Sequence, residues 1–222
     1  MRYFIFLIIL FLPFFGIAQR VGFVHLGLGA NSYKGDLNDT YQQWTASYHA
    51  GVLFNKKKRL NGQLNIIAGK IQGNNPDYVF EKDPFSQPNT FFTTSFININ
   101  YDVHLNLIKK DNFILFISQG VGLIRFSPKD QFNAKLENNF SRRAKGEEYS
   151  NIAFTLPTSA GFIYIMPSGY AFGLQTGYLN PTTDYLDNIS QWGNSDKKDN
   201  VFFGRLSLFL PFSIFHKIEV VN

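Results

Sequence analysis

The 222-residue chain has no Cys, 25 Phe and 11 Tyr, carries a formal net charge of +5, and is 45% apolar but only 17% charged. This excludes a disulfide-stapled secreted fold, a Cys-ligated metal centre and a disordered chain. So many aromatic rings with so little charge suggest a surface that meets something other than water.

Met1-Arg2 supplies a positive charge, Tyr3 to Phe15 is an almost unbroken apolar run, and Gly16-Ile17-Ala18 offers small residues ahead of Gln19. Residues 1–18 are therefore expected to be a cleaved signal peptide, with 19–222 as one mature domain. The competing reading, an uncleaved anchor, needs a longer apolar run. The remaining positive surplus is small and scattered, so nucleic acid is not an expected partner.

No later stretch approaches the length of a membrane-spanning helix; instead apolar and polar residues alternate with period two. The alternation predicts strands at 21–30, 45–54, 60–70, 91–107, 113–126, 152–166, 169–179 and 201–215. Ile97, Ile99, Tyr101, Val103, Leu105 and Leu107 fall on one face, and Asn98, Asn100, Asp102, His104 and Asn106 on the other. Pro157 and Pro211 lie inside two segments and predict weakened ladders or bulges there. The gaps alternate between long (31–44, 71–90, 127–151, 180–200) and short (55–59, 108–112, 167–168). This rhythm is the plan of an all-β, eight-stranded, antiparallel up-and-down transmembrane barrel, with short turns in the periplasm and long loops outside.

A soluble secreted barrel would also alternate, with its apolar face inward. Charge placement favours the membrane: within the eight segments only Lys70, Asp102, Arg125 and Arg205 are charged, so neither face resembles a hydrated exterior. The second face, rich in Gly, Ser, Thr, Asn and Gln, suits a narrow lumen filled by side chains. Tyr48, Tyr101, Tyr164, Tyr170, Tyr178 and Trp44 are candidates for interfacial girdles. The expected location is the outer membrane, with its lipids as partners. The chain continues past Phe215 with seven more residues. Either Phe215 ends the barrel and a tail follows, or the last strand runs on.

Asp102, His104 and Arg205 are expected in the lumen as a polar network. An alternative is a barrel hydrolase built on Asp102 and His104, which requires a hydroxyl nucleophile within about 3 Å of the imidazole. No Gly-x-Ser-x-Gly, His-x-x-x-His or calcium-loop spacing occurs, so no catalytic, metal or cofactor site is assigned. The acidic pieces Asp36-Leu37-Asn38-Asp39 and Asp184-Tyr185-Leu186-Asp187-Asn188 are expected to cap loop turns or to bridge to Arg142 and Arg143. The Lys56-Lys57-Lys58-Arg59 turn is a solvated turn, or a periplasmic contact with lipid phosphate or an acidic partner.

Three segments carry a family resemblance. Tyr33-Lys34-Gly35-Asp36-Leu37-Asn38 resembles the Tyr-x-Gly-Asp-Leu segment of small Bacteroidota barrels related to PorG. Gly120-Val121-Gly122 with Phe126-Ser127-Pro128 is similar to the same family. So is Thr183-Asp184-Tyr185-Leu186-Asp187-Asn188-Ile189-Ser190, with Asn188 in place of an Asp. The resemblance implies a non-catalytic subunit that anchors type IX secretion machinery, associated with a periplasmic lipoprotein ring. A subunit of another outer-membrane machine, such as the barrel-assembly complex, and a small barrel enzyme are the alternatives.

Overall fold

The computed structural model describes residues 22–55, 59–77, 87–193 and 198–212. The expected signal peptide, Lys56, Lys57 and Lys58, and the residues after Phe212 lie outside the described residues.

Nine strands form one sheet: β1 Gly22–Lys34, β2 Trp44–Phe54, β3 Leu60–Asn74, β4 Phe91–Lys109, β5 Phe113–Lys129, β6 Ile152–Thr155, β7 Thr158–Ile165, β8 Ala171–Tyr178 and β9 Asn200–Pro211. Each pairs antiparallel with its neighbours, and pairing of β1 with β9 closes the sheet. β6 and β7 both pair with β5 and are the two halves of one barrel strand. The break falls at Leu156-Pro157, because proline has no N–H for the ladder. The Pro157 carbonyl still accepts the Gly120 N–H at 2.7 Å, while the Leu156 N–H turns to the carbonyls of Leu179 and Asn180. Pro211 ends β9. The barrel is thus closed and eight-stranded, with its sixth strand broken where the sequence places a proline.

The register sets the tilt. From Ser47 the pairing runs one way to Gly69 and Phe96. The other way it runs through Gly29, Arg205, Gln175, Gly161 and Phe116 to Asn106. One circuit therefore returns to β4 ten residues from its start, which tilts the strands by about 40°.

The outer wall is apolar. Leu26, Leu28, Leu64, Ile66, Ile97, Ile99, Val103, Val121, Leu123, Leu174, Leu206 and Leu208 all point outward and are exposed. Trp44, Tyr41, Tyr178 and Phe202 contact one another in a girdle near the long-loop end. Tyr164 and Phe172 pair near the opposite end. Tyr101 is no girdle residue: it lies between Ile99 and Val103 on the same face, in the body of the wall, and its ring leans over Gly62.

The lumen departs from the purely polar filling expected. It is layered. At the short-turn end Phe23, Leu53, Ile114, Phe116, Ile163 and Phe209 form one buried apolar cluster. Polar residues fill the middle. Beneath the long loops Tyr33, Ile67, Ile71, Phe92, Phe96, Ile124, Phe126, Val201 and Phe203 join Leu37, Leu136, Leu179, Leu186 and Ile189 in a second. Near the strand ends both faces are apolar, as in Phe113-Ile114-Leu115-Phe116, so alternation fades there and the inward rings are hard to read from sequence.

Candidate functional site

Two arrangements concentrate the polar chemistry: a cap over the long-loop end and a network inside the lumen. The cap assembles from segments far apart in sequence. Tyr33, at the top of β1, is fully buried, and its hydroxyl lies 2.6 Å from Asp187 Oδ2 and 2.7 Å from Asp199 Oδ1. The remaining oxygens of the two carboxyls accept backbone N–H groups: Ile189 on Asp187 Oδ1 at 2.8 Å and Leu186 on Asp199 Oδ2 at 2.6 Å. Burial pushes both carboxyls well above the usual carboxylate range, and neighbouring negative charge pushes in the same direction, Asp36 and Asp184 on Asp187 and Asp187 and Asp184 on Asp199.

Around this centre the loop 183–190 is tied down at nearly every residue. Thr183 Oγ1 accepts the Tyr185 N–H, and Asp184 Oδ1 accepts the Asp199 N–H. Tyr185 stacks on Tyr149 at 4.4 Å between centroids, and its hydroxyl donates to Glu147 Oε1 at 3.1 Å. The Leu186 carbonyl accepts from Thr94, and the Asp187 carbonyl accepts from Asn89 Nδ2 at 2.9 Å. Asn188 sits at φ 71°, a left-handed conformation that Asn tolerates better than most side chains. Its Oδ1 accepts the Tyr149 hydroxyl at 3.0 Å.

The first motif docks on the second. Gly35 is required by close approach: a Cβ there would overlap Tyr33 Oη and Asp199 Oδ1. Leu37 enters the apolar cluster beneath the cap, and Asp36 is buried against Gly193. Among the described residues, no ion pair joins the two acidic pieces to Arg142 or Arg143. Arg142 Nη1 reaches the carbonyls of Gln87 and Pro88, and Arg143 donates to the Glu137 carbonyl and lies over the rings of Phe140 and Tyr149. Sequence reading found Tyr33, Gly35, Asp36, Leu37 and Thr183 to Asp187 but missed Asp199, Asn89, Glu147 and Tyr149. Asp199 meets its partner Tyr33 from 166 residues away, and no local pattern marks it.

In the lumen, Asp102, His104 and Arg205 are buried as expected. Asp102 accepts from Asn65 Nδ2 at 2.9 Å and Asn100 Nδ2 at 2.6 Å. Those amides continue to Gln63, His25, Asn98 and Thr155. Arg205 enters from the opposite wall, its guanidinium 3.7 Å from the centroid of the Phe203 ring. Its Nε and Nη2 make no hydrogen bond among the described residues. His104 lies flat on Phe116 with centroids 4.1 Å apart, and its Nε2 makes no hydrogen bond among the described residues. The hydroxyl opposite it in register, Ser118, bonds Ser159 at 2.5 Å instead. Arg59 is exposed at the short-turn end, its carbonyl accepting the Asn106 N–H.

No protein-family model matches the sequence, and no curated protein matches it. Among solved structures, the Neisserial surface protein NspA superposes with a TM-score of 0.52 at 9% identity, covering 85% of this chain and 96% of NspA. Ail, the attachment invasion locus protein of Yersinia pestis, gives 0.49 at 8% identity with the same coverage. The chain has the fold of the eight-stranded outer-membrane barrels. At such identity the likeness establishes the fold and nothing finer.

Proposed function

We propose that the chain spans an outer membrane and acts as a non-catalytic subunit of a multi-protein envelope assembly. One observation carries this reading: the lumen is blocked by apolar side chains at both ends while the wall outside is apolar. A solute has no path through such a barrel, so its role falls to the surfaces it presents. The wall meets lipid, the short turns face the periplasm and the cap faces outward, following the general orientation of such barrels.

The finer form of the proposal rests on the resemblance of the Tyr33–Asn38 and Thr183–Ser190 segments to the PorG-related barrels. On that basis the chain anchors type IX secretion machinery and docks its periplasmic lipoprotein ring. Extraction of the tagged protein from its native envelope in mild detergent, followed by mass spectrometry, tests it. Recovery of the ring lipoprotein and its partner supports the proposal. Recovery of barrel-assembly subunits instead assigns the chain to that machine, and a lone monomer overturns the subunit role. Membrane fractionation and heat-dependent gel mobility test the bilayer itself; a soluble, heat-indifferent protein overturns it.

A further inference from the structure

We propose that the cap over the long-loop end is closed by a shared proton, Tyr33, Asp187 and Asp199 locking as a unit only while one of the two carboxyls carries a hydrogen. A hydrogen count makes the case. The phenol lies at hydrogen-bond distance from both carboxyls, 2.6 Å and 2.7 Å, yet it has a single hydrogen to donate. It satisfies one carboxylate; the second contact is a hydrogen bond only if that carboxyl donates to the phenol oxygen. Two ionised carboxylates there would leave one oxygen facing a lone pair at close range.

Beyond the Ile189 and Leu186 N–H groups on their other oxygens, the described surroundings offer the two carboxyls no compensating positive charge. Both carboxyls are fully enclosed, and no Lys or Arg nitrogen lies within 4 Å of either among the described residues. The charged groups that face them are Asp36, from the loop after β1, and Asp184, in the same loop as Asp187, and both are acidic. Lys198 acts on Asp184, while Glu147 and Arg143 hold Tyr185 and Tyr149 in the next layer. On the β4 side the neighbours are Asn89 and Phe92, which are neutral. The lock ties β1, the loop after β8, the base of β9 and the segment before β4. Its loss therefore loosens the whole cap and uncovers the apolar cluster beneath. For one extra proton held in the closed state, the opening equilibrium rises tenfold per pH unit above the ordinary carboxylate range, until the closed carboxyl itself ionises.

The test uses the full chain folded in detergent or vesicles, with heat-dependent gel mobility as the check on the barrel. Hydrogen-exchange protection of the Leu186 and Ile189 amides, corrected for intrinsic rates, is followed against pH. In the native protein protection falls with rising pH by up to tenfold per unit. Asp187→Asn places an amide donor where the protonated carboxyl stood, so protection is retained and becomes flat with pH; Asp199→Asn behaves alike and covers a failure of the first variant to fold. Infrared spectra of the native protein at neutral pH show the carbonyl band of a buried carboxylic acid, and Asp187→Asn removes it. Absence of that band in the native protein overturns the proposal, as does an unchanged pH slope in both variants. A gain in protection on adding calcium at neutral pH overturns it too, since a metal would then hold the carboxylates.

Discussion

The Tyr33 hydroxyl and the Asp187 carboxylate meet at 2.6 Å across 154 residues of sequence, joining the first barrel strand to the last long loop. Burial raises the Asp187 carboxyl, and Asp199 beside it, well above the usual range. The folded cap therefore binds more protons than the unfolded chain between the ordinary carboxylate value and the raised one. Stability falls as pH rises through that window, by about 1.4 kcal/mol per pH unit for each such proton, and levels off on either side. Protease susceptibility of the loops as a function of pH checks the direction; greater resistance at pH 8 than at pH 5 contradicts it.

Gly35 tests how tightly the same centre is built. An alanine there drives a methyl into Tyr33 Oη and Asp199 Oδ1, neither of which can withdraw without breaking the lock. Gly35→Ala is expected to destabilise the cap by about 1–3 kcal/mol, the usual cost of overpacking. The barrel below should persist. Limited proteolysis cutting the long loops while heat-shifted mobility remains is the expected pattern; simultaneous loss of both shows that cap and barrel fold as one unit.

The eight-strand plan was legible because a lipid-facing wall and a polar lumen force period-two alternation on the middle of every strand, as Ile97 to Leu107 shows. Strand ends were not. β1 reaches Lys34, β3 Asn74 and β5 Lys129, each beyond the expected limit, because apolar residues inside the lumen replace the polar face there. The motif segments could be picked out one by one, but sequence offers no sign that Gly35 must clear Asp199 or that Tyr149 stacks on Tyr185. Such contacts exist only once the barrel has brought the loop bases together.

Position along the wall should decide what an outward charge costs. Ile99 lies within the apolar belt of β4, whereas Ser95 on the same face pairs with Lys70 near the cap, where an outward cation is already accommodated. Ile99→Arg is expected to cost about 2–4 kcal/mol of folding stability in vesicles and Ser95→Arg about 0–1 kcal/mol. Urea-dependent refolding into vesicles measures both. Equal costs at the two sites would contradict a bilayer around this wall.

Asp102 and Arg205 project into the lumen from β4 and β9, four strands apart whichever way round the barrel is followed. Asp102 is held by Asn65 and Asn100, while two Arg205 nitrogens make no hydrogen bond among the described residues and its guanidinium rests on the Phe203 ring. The two charges share the enclosed lumen without forming a direct ion pair, so each acts on the other only across the polar layer between them. Removing one partner leaves the other charge in the lumen without its counter-charge, and the coupling between groups that share such a network is about 0.5–3 kcal/mol. Arg205→Met keeps the stem's volume, whereas Asp102→Asn keeps the shape but only one of the two amide bonds that the carboxylate accepts, a local loss that a double-mutant cycle subtracts. Together they should cost less than the sum of the two single changes, by about 0.5–3 kcal/mol in a double-mutant cycle read by equilibrium unfolding in detergent. Additive losses would mean that the two groups do not sense each other and that Arg205 is retained for its stacking on Phe203.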